Sequence, residues 1–141
     1  MGNTASFRSD PESLHDIREF VRERAEASSW PADRIDELVQ AVNEACANSV
    51  LHSDSTSVRV TWKARTNSVE VQVQDDGVFG GMEKQARNGG GLGITIMRAL
   101  VDELDIHRGT TEQPGTVVRL VKKEHRSGTE ESDPATPAGA T

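Results

Sequence analysis

The chain has no tyrosine, a single cysteine, and only two tryptophans and three phenylalanines among its 141 residues. A core with so few aromatics is aliphatic and small, enough for one compact unit. The lone Cys46, set in an apolar helical pattern, cannot close an internal disulfide, which points to a reducing, cytoplasmic setting. No apolar run exceeds three residues (45–47 and 99–101), far below the ~20 that a membrane helix needs. No apolar stretch follows the start, so no secretory signal is expected. Lysine and arginine never cluster beyond a pair and the net charge is −7, so neither nucleic acid nor a membrane surface is an expected partner. Residues 1–6 fit the loose N-myristoylation template M-G-x-x-x-[ST]; a chance match is the simpler reading, and one acyl chain anchors only marginally.

Glycine, by contrast, is concentrated. Seven of the 12 glycines (Gly77, Gly80, Gly81, Gly89, Gly90, Gly91 and Gly93) fall within residues 77–93. One loop therefore holds most of the backbone freedom, and chemistry is expected there. Around it the periodicity is clear. After a short arm containing Phe7, Asp10-Pro11 offers an N-cap and a first-turn proline. Leu14, Ile17, Phe20, Val21 and Ala25 then recur at helical spacing, predicting a helix over 11–28. A second helix is expected over 31–51, with Ile35, Leu38, Val39, Val42, Cys46 and Val50 on its apolar face. Val58, Val60 and Trp62, then Val69, Val71 and Val73, alternate strictly with polar residues and predict an antiparallel pair of strands turning at 66–68. A third helix over 92–104, with Leu104 facing inward, and strands near 105–108 and 116–121 complete the pattern.

The composition then changes. From Lys122 onward, Pro, Ser, Thr, Gly and charged residues replace any hydrophobic period, so 122–141 reads as a disordered tail. The expected organisation is a flexible N-terminus over 1–5, one domain over 6–121, and that tail. The fold class is an α/β (α+β) two-layer sandwich, its helices on one face of a mixed, mostly antiparallel sheet.

Glycines running into a helix start suit an anion, because free N–H groups and the positive end of the helix dipole converge there. The common phosphate motifs fail. No Gly-Lys pair exists for a Walker A loop, and Ile94 stands where G-x-G-x-x-G needs its last glycine. Other residues raise the signal. Glu44 and Asn48 are four apart on one face of the second helix, although away from its main apolar stripe, where a solvent-facing pair is the plainer reading. Asp75-Asp76-Gly77 ends a strand, where an ordinary turn is the plain alternative.

Taken in order, these segments resemble the GHKL ATPase superfamily, which includes histidine kinases and gyrase, and within it the bacterial anti-sigma-factor serine kinases. Residues 37–52, with Glu44, Asn48 and a trailing His52, resemble the N-box. Residues 71–77, ending Asp75-Asp76-Gly77, resemble the G1 box. Residues 89–103, opening Gly89-Gly90-Gly91-Leu92-Gly93, resemble the G2 box, and Gly115-Thr116 begins a matching closing strand. The resemblance spans about residues 5–122 and implies a Bergerat-type ATP-binding fold.

It also implies roles. Glu44 would be the catalytic base accepting the proton of an attacking hydroxyl. Asn48 would offer its amide oxygen to Mg²⁺. Asp75 would accept from the adenine amino group, with Gly77 and Thr116 completing that pocket. Gly89, Gly91, Leu92 and Gly93 would surround the phosphates of ATP. Apart from the resemblance, Lys84 and Arg87 stand in the segment between these boxes and are expected within reach of phosphate. One departure stands out: Phe79 replaces the second glycine of the G1 box.

The implied function is an anti-sigma factor that is also an ATP-dependent serine kinase, binding a sigma factor and phosphorylating an anti-anti-sigma (STAS-type) protein, as a homodimer. The alternative is a non-catalytic partner-switching module, with or without nucleotide. A sensor histidine kinase phosphorylated at His15 is disfavoured, because His15 precedes Asn48 by 33 positions and leaves no room for a two-helix dimerisation domain.

Overall fold

The computed structural model describes residues 3–52, 55–77, 92–108 and 115–124. They form β1 (Thr4–Arg8), α1 (Ser13–Ala27), α2 (Ala32–His52), β2 (Ser57–Ala64), β3 (Ser68–Asp75), α3 (Leu92–Leu100), β4 (Glu103–Arg108) and β5 (Thr116–Lys123). The strands make one sheet in the order β1-β2-β3-β5-β4. The sheet was expected to be mostly antiparallel, and all four pairings among the described residues are antiparallel.

Alternation in the sequence becomes two unlike sheet faces. Register sets Val60 opposite Val73 and Trp62 opposite Val71, so apolar side chains collect on one side. There Val58, Val60, Val71, Val73, Val118 and Leu120 are buried in one core with Ile17 and Val21 of α1, Leu38 and Val42 of α2, and Ile94 and Met97 of α3. Each such side chain contributes about 1.5–3 kcal/mol on leaving water. The other face carries Arg59, Lys63, Glu70, Gln72 and Arg119, and is polar.

α2 is the central helix. It packs on α1, on α3 and on the sheet, so Ile35, Leu38, Val39, Ala41, Val42, Ala45 and Cys46 are all buried. That breadth exceeds the stripe of a surface helix. Burial pushes the Cys46 thiol up to about 12, so it packs as a neutral, apolar group. No helix among the described residues is long and apolar enough to cross a membrane.

Four boundaries differ from the sequence reading. Residues 4–8 form an edge strand in place of an arm, with Ala5 opposite Val60 and Phe7 opposite Val58. Phe7 also meets Phe20 edge to face, with ring centroids 6.2 Å apart. α1 begins at Ser13, because Asp10 and Pro11 are spent in the preceding turn: the Glu12 N–H donates to Asp10 Oδ1 at 2.8 Å and the Ser13 N–H to the Asp10 carbonyl at 2.9 Å. α3 stops at Leu100. There the Asp102 N–H donates to the Val121 carbonyl at 2.8 Å, and Asp102 Oδ2 accepts from the Lys123 N–H at 2.7 Å. Those bonds join the chain to β5, and Leu104 faces Leu120 across a strand pair instead of ending a helix. Finally, Lys122 and Lys123 belong to β5, while residues 125–141 of the expected tail lie outside the described residues.

Candidate functional site

The C-terminal half of α2 supplies the first part of the site. Glu44 and Asn48 lie one turn apart, and the Asn48 Nδ2 donates to the Glu44 carbonyl at 3.1 Å. That bond uses the amide nitrogen and leaves the amide oxygen as the atom that can meet a cation. Asn48 is buried and Glu44 half-buried, so the pair does not simply face solvent. Asn48 is 6% exposed because the start of α3 lies against it. A methyl group on Gly93 would stand 2.7 Å from Asn48 Nδ2 and 3.3 Å from Glu44 Oε1. Only a residue without a side chain lets the α3 backbone approach this closely. The N-terminal end of α3 thus meets the carboxylate and the amide of α2, and Leu92, the first residue of α3, is 76% exposed.

Asp75, at the end of β3, forms the second part and is 4% exposed. It sits at an inward position of the strand, where its carboxylate gathers three donors. Oδ2 accepts from the Ser49 hydroxyl at 2.7 Å, while Oδ1 accepts from the Gly77 N–H at 3.0 Å and the Thr116 N–H at 3.2 Å. One side chain therefore joins α2, the end of β3 and the start of β5. Charge-assisted bonds of this kind make its burial tolerable. Gly115 holds the other side of the junction. Its φ is +118°, and a Cβ there would fall 2.0 Å from the Asp75 carbonyl oxygen.

The adjacent acid does something else. Asp76 is exposed and accepts from the Thr56 hydroxyl at 2.6 Å and from the N–H groups of Thr56 and Ser57 at 2.7 and 3.2 Å. The Thr56 hydroxyl chiefly holds its carboxyl below the ordinary range; some loss of hydration opposes this, and backbone N–H groups of Ser57, Thr56 and Asp76 itself add to it. Asp76 fastens the start of β2, and Asp75 faces inward.

The structure therefore brings together Glu44, Asn48 and Gly93 at one end of the site, and Asp75, Gly77 and Thr116 at the other. Consecutive residues Asn48 and Ser49 connect them, one against α3 and the other against Asp75. Ser49 and Gly115 were not among the expected site residues. A serine beside the asparagine and a glycine before Thr116 are the signals that could have found them. The His52 side chain, Phe79, Lys84, Arg87, Gly89 and Gly91 lie outside the described residues. His15 is exposed on α1. Among the described residues no group of three or more His, Cys, Asp or Glu could hold a metal, so Asn48 would hold a cation only together with a ligand's own oxygens.

Among the solved structures that share this fold are the following two. The RsbU and RsbW domains of Rv1364c from Mycobacterium tuberculosis align over 85% of this chain and 32% of theirs, at 20% identity and a TM-score of 0.65. That likeness is one of fold. The histidine kinase domain from Erythrobacter litoralis EL346 blue-light activated histidine kinase aligns over 66% of this chain and 46% of its own, at 28% identity and a TM-score of 0.54. The chain spans less than half the length of either. No curated protein sequence matches it. A family model described as the histidine kinase-like ATPase domain matches residues 7–122, which take in the whole of the site described above. The chain belongs to the histidine kinase-like ATPase family.

Proposed function

We propose that this domain binds ATP with Mg²⁺ between α2, α3 and the end of β3, and uses it as an anti-sigma factor and protein serine kinase. The observation that carries the reading is the approach of Gly93 to both Asn48 and Glu44. It sets a helix N-terminus, the Asn48 side-chain amide and the Glu44 carboxylate within one small region. The residues fit the nucleotide. Described donors fill three of the four lone-pair positions of Asp75, and the fourth, on Oδ2, accepts the adenine amino group. Gly77 and Thr116 line that side, and Asn48 holds the Mg²⁺. Leu92 and Gly93, with Gly89 and Gly91 before them, offer N–H groups to the phosphates.

When bound, ATP would supply its γ-phosphoryl group, the bond to the β-phosphate oxygen breaking as ADP leaves. Glu44 accepts the proton of a serine hydroxyl as that oxygen attacks, and Asn48 keeps the cation beside it. The serine belongs to an anti-anti-sigma protein of the STAS type, and a sigma factor is the second partner. The likeness to the RsbW-containing structure supports this choice within the family. The chain acts as a cytoplasmic homodimer, in which α1 and β1 supply the contact; β1 is an edge strand of the sheet.

Incubating the protein with labelled ATP, Mg²⁺ and a candidate STAS protein tests the proposal. Phosphoserine should form with wild type and be lost with Glu44→Gln, which keeps nucleotide affinity, and with Asn48→Ala, which does not. A second reading rests on Phe79, which replaces a glycine of the G1 box: the chain then binds its partner without transferring phosphate. A stable sigma complex with no phosphoserine would establish that reading and exclude the kinase.

A further inference from the structure

Two buried cations take no part in the site as described. Arg34, in the first turn of α2, is 6% exposed, and Lys122, near the end of β5, is 4% exposed. Lys122 follows Val118 and Leu120 on the inward face of its strand, where an apolar residue would pack without the cost of burying a charge. Stability alone does not account for it. Its Nζ donates to Glu37 Oε1 at 2.8 Å and also to the Leu100 carbonyl. Leu100 is the last residue of α3, so the ammonium caps that helix at the negative end of its dipole. Glu37, on α2, is the fixed point of the arrangement. Arg34 Nη1 lies 3.6 Å from it, and Arg34 Nε donates to the Glu124 carbonyl at 3.2 Å.

α3 is therefore held against α2 at both ends. Its last carbonyl is tied through Lys122 to Glu37, and its second residue, Gly93, lies on Asn48 and Glu44. Nine residues make a rigid rod of about 13 Å, and a shift at one end is passed to the other. We infer that Lys122, anchored by Glu37, is a positioning residue for the nucleotide site. By clamping the C-terminus of α3 to α2 it fixes the place of the phosphate-binding N-terminus. The inference rests on the nucleotide reading above and deepens it, adding a control point on the far side of the helix.

The test compares wild type with Lys122→Met, Lys122→Arg and Glu37→Gln. Val60→Ala, a core truncation in β2, serves as a control for general destabilisation. Met matches the length of Lys, and Arg34 remains to neutralise Glu37, so the substitution removes the clamp and leaves the carboxylate paired. Two quantities are read: affinity for a fluorescent ATP analogue with Mg²⁺, and amide hydrogen exchange across residues 93–100 without nucleotide. Lys122→Met should weaken the analogue by roughly tenfold to a hundredfold and speed exchange in α3. Glu37→Gln should do the same more weakly, and Lys122→Arg should restore most of both. Val60→Ala should lower the melting temperature and leave both readings near wild type. Unchanged affinity in Lys122→Met, or an equal change in Val60→Ala, overturns the clamp while the nucleotide reading stands. Wild type that fails to bind the analogue overturns the nucleotide reading and this inference with it.

Discussion

At Gly93 the site can be broken with little harm to the fold. Alanine there puts a methyl carbon 2.7 Å from Asn48 Nδ2 and 3.3 Å from Glu44 Oε1. The first distance is too short for carbon and nitrogen, and the buried Asn48 has little room to retreat. Either the amide turns away and gives up its bond to the Glu44 carbonyl, a loss of about 1 kcal/mol, or α3 moves outward at about 1–3 kcal/mol. Removing a helical glycine returns at most about 1 kcal/mol. The net loss is about 0–2 kcal/mol, and a domain of this size should melt no more than about 8 °C lower. Either adjustment displaces the cation-binding amide from the start of α3, however, so nucleotide affinity should fall by at least about tenfold. Titrating a fluorescent ATP analogue with Mg²⁺ into Gly93→Ala, Asn48→Ala and the double variant checks this. In the double variant the methyl has no amide to strike, so the two effects should be far from additive. Wild-type affinity in Gly93→Ala, or strict additivity in the pair, would refute the shared site.

Other positions separate scaffold from site. Gly115→Ala places a side chain at φ +118° and 2.0 Å from a backbone oxygen; with no flexible group to yield, it should cost about 3 kcal/mol or more, read by urea unfolding. Ser29 closes α1 at φ 62°, so Ser29→Gly should raise stability by about 0.5–1 kcal/mol; a lower melting temperature would show that the serine has a role of its own. Ser49→Ala removes one of three donors to a buried carboxylate and should lose about 1.5–3 kcal/mol together with selectivity for adenine over guanine nucleotides. For pH, Glu70 is the group to watch. Burial pushes its carboxyl up, but hydrogen bonds from Gln72, Arg119 and Arg65 and the charge of Arg119 outweigh it, and the net shift is downward. A carboxyl lowered in the folded state stabilises above the ordinary glutamate range, and that contribution disappears as pH falls through the folded value. Glu70→Gln should therefore flatten the acid limb of stability against pH and leave the neutral-to-alkaline limb unchanged in slope; an unaltered acid limb would show that the ion pairs on this face contribute nothing measurable.

Period told which way a side chain faces, and that was enough wherever the neighbour is close in sequence. Val58 to Trp62 and Val69 to Val73 alternate without exception, and they form β2 and β3 in the register that one hairpin allows. It could not tell what lies on top. Glu44 and Asn48 looked solvent-facing because the helix that covers them begins only at Leu92. Residues 4–8 alternate too, but a five-residue edge strand shows its nature only against a partner near residue 60. Leu104 extended the apolar period of α3, since an inward strand residue and an inward helix residue are chemically alike; the hydrogen bonds of Asp102 to β5 decide between them. The polar residues at inward strand positions are the most informative. Asp75, Thr116 and Lys122 occupy buried sites that alternation reserves for apolar side chains, and all three stand at or beside the end of a strand. At a strand end the sheet gives way to helices and turns, whose unpaired N–H and carbonyl groups need partners. Asp75 meets two such N–H groups and Lys122 a helix's last carbonyl. A polar residue that keeps the inward parity at such a place marks a junction between elements, and in this chain the junctions are where the candidate site and its clamp are built.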